Sequence, residues 1–310
     1  MKKSLLILLL SFTSFNFSQE KTFKTQDIEI DSLIKGTLFI PEKLSKKTKL
    51  VILIAGSGPT NRNGNQVGVY NNSLKYLAEG LAKNNIAVFS FDKRIIALTI
   101  AKKIDEKSLR FEDMITDATM VFNYFKIQKK YKKIIIAGHS EGSLVGMITA
   151  KDKADGFVSI AGPGRPIDEI LLEQIAKNTP FLKEATDKNL ALLKEGKTFE
   201  NKNPMLESLF RESVQPYLIS WIKYNPQEEL KKLFIPVLII NGTKDIQVPT
   251  SDAELLKKSY PKADLVIIEK MNHVFKEIIK DEDNLKSYNN PNLPVLPELI
   301  NCITKFVTKL

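Results

Sequence analysis

The sequence predicts an α/β fold, a mostly parallel sheet flanked by helices with an inserted helical cap, and three observations carry that prediction. From Leu50 onward, solid apolar runs alternate with amphipathic stretches, the pattern of buried parallel strands joined by right-handed helical crossovers. The opening differs: Ile28 and Ile30 mark one short alternating run, and residues 34–40 form another that stops at Pro41, as an antiparallel pair would. Between Arg165 and about Leu230 no strand-like run occurs, only helical stretches broken by Pro180, Pro204, Pro216 and Pro226, which predicts several short helices rather than one rod.

The core strands are expected at 50–55, 86–91, 134–137, 157–161, 237–241 and 265–268. Between them Leu74, Leu77, Ala78 and Leu81 recur at helical spacing, as do Met114, Ala118, Val121, Phe122 and Phe125, so each connection carries an apolar stripe to lay on the sheet. Residues 287–297, rich in Asn and Pro, read as an extended loop before a C-terminal helix. The first 18 residues have the form of a signal peptide: Lys2 and Lys3, an apolar stretch over 4–10, then a polar exit with small Ser18. The expected organisation is therefore a signal at 1–18, a core made of 19–164 and 231–310, and a cap at 165–230, in a secreted or periplasmic protein. The apolar stretch is shorter than the roughly 20 residues a spanning helix needs, so no stable membrane insertion is expected once the signal is removed.

Composition narrows the function classes. The formal charge is +10, but the excess is nearly all scattered lysine, the only arginines being Arg62, Arg94, Arg110, Arg165 and Arg211. Nucleic-acid readers use a focused basic stripe and lean on arginine, so no nucleic-acid partner is expected. The single cysteine, Cys302, permits no intrachain disulfide. Two separated histidines and no H-E-x-x-H spacing offer no metal site, and Asp281-Glu282-Asp283 is more simply a solvated acidic turn.

The chemistry is concentrated at Gly138-His139-Ser140-Glu141-Gly142, a G-x-S-x-G sequence lying between a predicted strand and a helix-like stretch, the context in which such a pentapeptide makes a nucleophile elbow. Ser140 is held in a strained turn that lifts its hydroxyl into the open, and the glycines remove side chains that would strike the neighbouring strand and helix. The helix starting behind it leaves the Glu141 N–H without an intrahelical partner, free to face a developing oxyanion. A serine hydroxyl needs a base. Of the two histidines, His139 is turned aside by its adjacency to Ser140, leaving His273 in the loop after the last strand. Asp245, in the turn after strand 237–241, is placed to orient that imidazole; Asp252 and Asp264 are weaker candidates, and an ordinary turn aspartate is the bland alternative.

A second oxyanion donor is expected from the glycine-rich loop beginning Gly56-Ser57-Gly58-Pro59, with the Ser57 amide the first choice and Gly58 next. The loop has neither the G-K-[ST] of a phosphate cradle nor Rossmann spacing to Asp92. Trp221, with Tyr217, Leu218 and Tyr224, forms an aromatic cluster whose default role is packing the cap on the body; lining an acyl pocket is the sharper alternative. Gly56 and Gly58 complete the expected substrate-binding set.

Together these stretches resemble the α/β-hydrolase superfamily, in particular bacterial esterases and serine-aminopeptidase-like hydrolases with a Gly-Ser-Gly-Pro oxyanion loop. The likeness runs from Gly36-Thr37-Leu38 through the loop 56–65, Asp92-Lys93-Arg94, the elbow and 242–249 to Asn272-His273. Where such families continue Asp-Lys-Arg with glycines, this chain has Ile95-Ile96-Ala97, and Arg94 reads as a salt-bridge residue of the scaffold. The resemblance implies a cofactor-free serine hydrolase acting on a small-molecule ester or acyl substrate through an acyl-enzyme. Amide hydrolysis is the enzymatic alternative, and a non-catalytic binding protein on the same fold the alternative of another class.

Overall fold

The computed structural model describes residues 22–310; the predicted signal at 1–18 lies outside them. In chain order the elements are β1 (Phe23–Glu29), β2 (Lys35–Pro41), β3 (Leu50–Ile54), α1 (Ser73–Lys83), β4 (Ala87–Phe91), α2 (Arg94–Ile100), α3 (Phe111–Gln128), β5 (Ile134–His139), α4 (Glu141–Ala150) and β6 (Gly156–Ile160). Five helices follow: α5 (Ile167–Asn178), α6 (Lys183–Lys194), α7 (Glu207–Phe210), α8 (Gln215–Ile222) and α9 (Pro226–Lys231). The chain closes with β7 (Val237–Gly242), α10 (Thr250–Ser259), β8 (Asp264–Ile268), α11 (Asn284–Ser287) and α12 (Pro297–Lys309).

One eight-stranded sheet runs in the order β1-β2-β4-β3-β5-β6-β7-β8. β1 and β2 pair antiparallel, β2 pairs antiparallel with β4, and every later pairing is parallel. Asp31 shapes the β1–β2 turn, its Oδ1 accepting from the N–H groups of Leu33 at 2.8 Å and Ile34 at 2.7 Å, an Asx turn. Strands β3 to β7 are buried along their whole length. Helices cover both faces of these strands, which is why they read as unbroken apolar runs.

The pleat sorts β3 between two cores: Leu50, Ile52 and Ile54 join α3 and α4 on one face, while Val51 and Leu53 join α1 and α12 on the other. On the first face the core continues without a break into Leu190, Leu193, Phe210, Leu218 and Trp221 of the inserted helices, so the insertion shares the body's apolar core. Its prolines begin helices where the sequence suggested they would break them: Pro226 opens α9, Pro216 sits in the first turn of α8, and Pro180 and Pro204 start single 3₁₀ turns. At those positions the missing N–H costs nothing. A further difference is α2, which occupies the Arg94–Ile100 stretch where no helix was expected. Among the described residues no helix is long and apolar enough to cross a membrane.

Candidate active site

Parallel strands bring their carboxyl ends to one edge, and the loops leaving β3, β5, β7 and β8 carry Ser57, Ser140, Asp245 and His273. Ser140 has φ 55° and ψ −122°, left-handed backbone that a non-glycine residue adopts only where its surroundings impose it. The surroundings are visible in the flanking glycines. A Cβ on Gly138 would fall 2.0 Å from the Gly142 carbonyl oxygen, and one on Gly142 would fall 2.5 Å from the carbonyl oxygens of Ile54 and Ala55. The Ser140 N–H donates to the Ile160 carbonyl at 3.0 Å, tying the turn to β6.

His273 is held from two sides. Its Nδ1 donates to Asp245 Oδ2 at 2.8 Å, in a pair with side chains 4% and 0% exposed. Asp245 Oδ1 in turn accepts from the N–H groups of Gln247 at 2.8 Å and Val248 at 2.9 Å, which fixes the carboxylate plane. With Nδ1 donating, the neutral ring presents Nε2 as an acceptor. The loop itself is organised by the buried Asn272, whose Oδ1 accepts from Val274 and Lys276 N–H and whose Nδ2 donates to Asn284 Oδ1 at 3.0 Å and Ser287 Oγ at 2.7 Å. Asp252 is engaged elsewhere, ion-paired with Arg165 at 2.6 Å, and Asp264 is exposed at the start of β8.

His139 underlies this arrangement. Its Nε2 lies 2.9 Å from the His273 carbonyl, and its ring centroid is 4.7 Å from that of His273. A carbonyl only accepts, so Nε2 carries the proton; burial, and next the neighbouring His273, push the His139 pKa well below the usual histidine value.

Ser140 and His273 line one cavity of about 240 Å³, together with Gln66, Ser73, Gln247 and Tyr288. No hydrogen bond among the described residues joins the Ser140 hydroxyl to the ring, and such bonds commonly tighten only with substrate in place. A second cavity of about 240 Å³ lies beneath the inserted helices, with Ile95, Leu109, Met114, Val214, Leu218 and Trp221 among its walls. Ser57 borders both cavities. Gly56 faces the first and Gly58 the second. A third, larger cleft of about 380 Å³, between α1 and residues 292–301, contains none of these groups.

The loop after β3 is braced by its own side chains. Gln66 Nε2 and Thr60 Oγ1 both donate to the Ser57 carbonyl, at 2.9 and 2.8 Å, and Arg62 grips Asp92 through Nε at 3.0 Å and Nη2 at 2.7 Å. A Cβ on Gly56 would sit 3.2 Å from that of Ser140, so glycine lets this backbone lie against the elbow. Trp221 packs as the aromatic pattern suggested, its ring stacked on Phe111 of α3 at 5.6 Å and 2°, while also facing the second cavity.

Sequence reasoning named two residues without seeing their role beside the elbow. Lys93 Nζ lies 2.6 Å from Glu141 Oε2, and the Tyr217 hydroxyl donates to Glu141 Oε1 at 2.6 Å. Glu141 was expected to contribute only its amide, yet its carboxylate is buried between these two partners. Burial and the adjacent carboxylate push the Tyr217 pKa well above the usual phenol value, so it stays a donor. The available signal was the Asp92-Lys93-Arg94 triplet, three charges at the end of a buried strand. The three hold different partners. Asp92 binds Arg62, Lys93 binds Glu141, and Arg94 pins α3 through Asp113 at 2.7 Å and Asp117 at 2.6 Å.

Strand order, elbow and edge placement are those of one fold. The chain has the α/β-hydrolase fold. It is 29% identical over 274 residues to Esterase EstD of Thermotoga maritima, a match covering 84% of this chain and 62% of that protein's length. No protein-family model matches. Among solved structures, Est1E from Butyrivibrio proteoclasticus is similar at TM-score 0.59 and 17% identity, over 92% of this chain and 98% of that one. The acylaminoacyl peptidase of Pyrococcus horikoshii is similar at TM-score 0.56 and 15% identity, over 94% of this chain and 42% of its own. At these identities the structural likenesses establish the α/β-hydrolase fold.

Proposed function

We propose that this α/β-hydrolase cleaves carboxylic esters through an acyl-enzyme on Ser140. The observation that carries the proposal is the shared cavity: the strained Ser140 and His273, the latter held from behind by Asp245, face one space, with the Ser57 loop at its rim. In this mechanism His273 Nε2 takes the Ser140 proton as Oγ attacks the ester carbonyl. The amides of Ser57 and Glu141 receive the oxyanion, and His273 then delivers the proton to the leaving alcohol. Water reverses the sequence and frees the acid. Asp245 holds the ring and stabilises the imidazolium.

The leaving oxygen must lie within reach of His273, which assigns the alcohol to the cavity lined by that residue. The acyl group then extends past Ser57 toward Leu218 and Trp221, an apolar channel suited to a medium or aromatic acyl chain. The similarity to Esterase EstD supports an ester over an amide. The test is labelling with a fluorophosphonate probe, followed by turnover of nitrophenyl esters of increasing acyl length beside aminoacyl anilides. A single adduct on Ser140 with ester turnover is expected. A well-folded sample that takes no label defeats the proposal in favour of a binding protein, and preferential anilide turnover moves it to amide hydrolysis.

A further inference from the structure

A glutamate directly after the nucleophile poses an electrostatic problem. Its amide is one proposed oxyanion donor, yet its carboxylate, 2% exposed, is an anion buried where a second anion would develop. An uncompensated carboxylate in a low-dielectric site opposes that charge. The compensation is Lys93, 10% exposed, with Nζ 2.6 Å from Glu141 Oε2.

The same ammonium makes a second contact, donating to the Gly56 carbonyl at 3.2 Å. That carbonyl and the Ser57 N–H belong to one planar peptide unit. Holding its oxygen fixes the direction in which the N–H points, and the cation polarises the unit so that the N–H becomes a stronger donor. Lys93 is itself anchored, following β4 closely and donating its backbone N–H to the Thr60 carbonyl at 3.5 Å.

From these contacts we infer that Lys93 is a positioning residue for the oxyanion site, one ammonium that aligns the Ser57 donor and neutralises the side chain of the Glu141 donor. The inference rests on the proposed ester hydrolysis. It separates Lys93 from Asp92, which braces the far part of the same loop through Arg62, and from Arg94, which pins α3.

Because Lys93→Met alone strands a buried carboxylate, the decisive comparison is Lys93→Met/Glu141→Gln against Glu141→Gln. Two ligands are titrated alongside turnover: a trifluoromethyl ketone, which adds to Ser140 as a tetrahedral oxyanion, and the matching trifluoromethyl carbinol, which cannot. Removing a whole oxyanion donor costs roughly 10²–10³-fold in kcat, so misaligning one should cost about tenfold or more. The double variant is expected to lose that factor in kcat relative to Glu141→Gln, with KM within about threefold. Ketone affinity should fall by the same factor while carbinol affinity holds, and Lys93→Met alone should lose more than the double variant. A kcat within twofold of Glu141→Gln overturns the inference, and so do equal losses of ketone and carbinol affinity. If the wild-type protein takes no fluorophosphonate label, the ester-hydrolase proposal falls, and this one with it.

Discussion

The two cavities flanking Ser57 are built by different means. The one holding Ser140 and His273 is fixed by backbone: a left-handed serine, glycines with no room for a Cβ, and an aspartate bound by two amides. The one beneath the inserted helices is walled by side chains of the insertion, such as Leu218 and Trp221, set against Ile95, Leu109 and Met114 of the body, and depends on packing, as Trp221 on Phe111 shows. Under the proposed function, geometry that tolerates no substitution sits where the bond would be cut, and adaptable surface sits where the acyl chain would be selected. Changes on the first side should therefore abolish turnover, and changes on the second should re-sort substrates.

The largest effect should come from Ser140→Ala and His273→Ala, each lowering kcat by about 10⁴-fold or more with the thermal midpoint retained. Near wild-type turnover in either variant would show that the backbone-built cavity is not the reacting one. Asp245→Asn should follow at about 10³–10⁴-fold, because an amide in place of the carboxylate favours the wrong ring tautomer; steady-state kinetics on a nitrophenyl ester decides it. On the other side, Trp221→Ala should lower the ratio of kcat/KM for a phenylpropanoate ester to that for an acetate at least about tenfold, the scale of apolar pocket contacts. An unchanged ratio would mean that the apolar cavity does not sort acyl groups.

The smallest effect concerns stability near the backbone-built side. Lys276, three residues beyond His273, is fully buried with no carboxylate partner among the described residues; its Nζ donates to the Leu293 carbonyl and lies 5.0 Å from the Tyr76 ring centroid. Burial lowers its pKa from 10.5 to about 8. The native state thus sheds this proton before the unfolded chain does, and wild-type stability gains from this group as pH rises from about 8 to 10.5. Lys276→Met should be roughly 1–2 kcal/mol more stable than wild type at pH 7, net of the lost hydrogen bond. Urea melts at pH 7, 9 and 10 should show that advantage shrinking; an advantage that grows with pH would refute the assignment.

Most of the frame was legible because it is written in local pattern. Unbroken apolar runs gave β3 to β7, and the glycine spacing around Ser140 states a steric demand that holds wherever a strand turns sharply into a helix. With only two histidines, His273 followed as the candidate base from His139 being adjacent to Ser140. What stayed hidden lies between residues far apart in sequence. Nothing near Lys93 announces Gly56 or Glu141, 37 and 48 positions away, and nothing near Tyr217 announces Glu141, 76 positions away. The α2 helix was missed for a different reason. Arg-Ile-Ile-Ala-Leu-Thr-Ile is a short apolar run in which periodicity does not separate helix from strand, and in the fold it is a helix whose first residue, Arg94, is anchored to Asp113 and Asp117 of α3. The prolines of the insertion were weighed only as breakers, although proline suits a helix's first turn equally well.

The Tyr217 hydroxyl makes the roof and the Ser140 elbow a single mechanical object. Swinging α8 outward strips Glu141 of a donor and uncovers a buried carboxylate beside Ser140. Under the proposed function, shortening or grafting the 165–230 segment is thus an operation on the hydrolytic machinery itself, and chimeras that exchange it will carry the electrostatics of the elbow along with the new pocket.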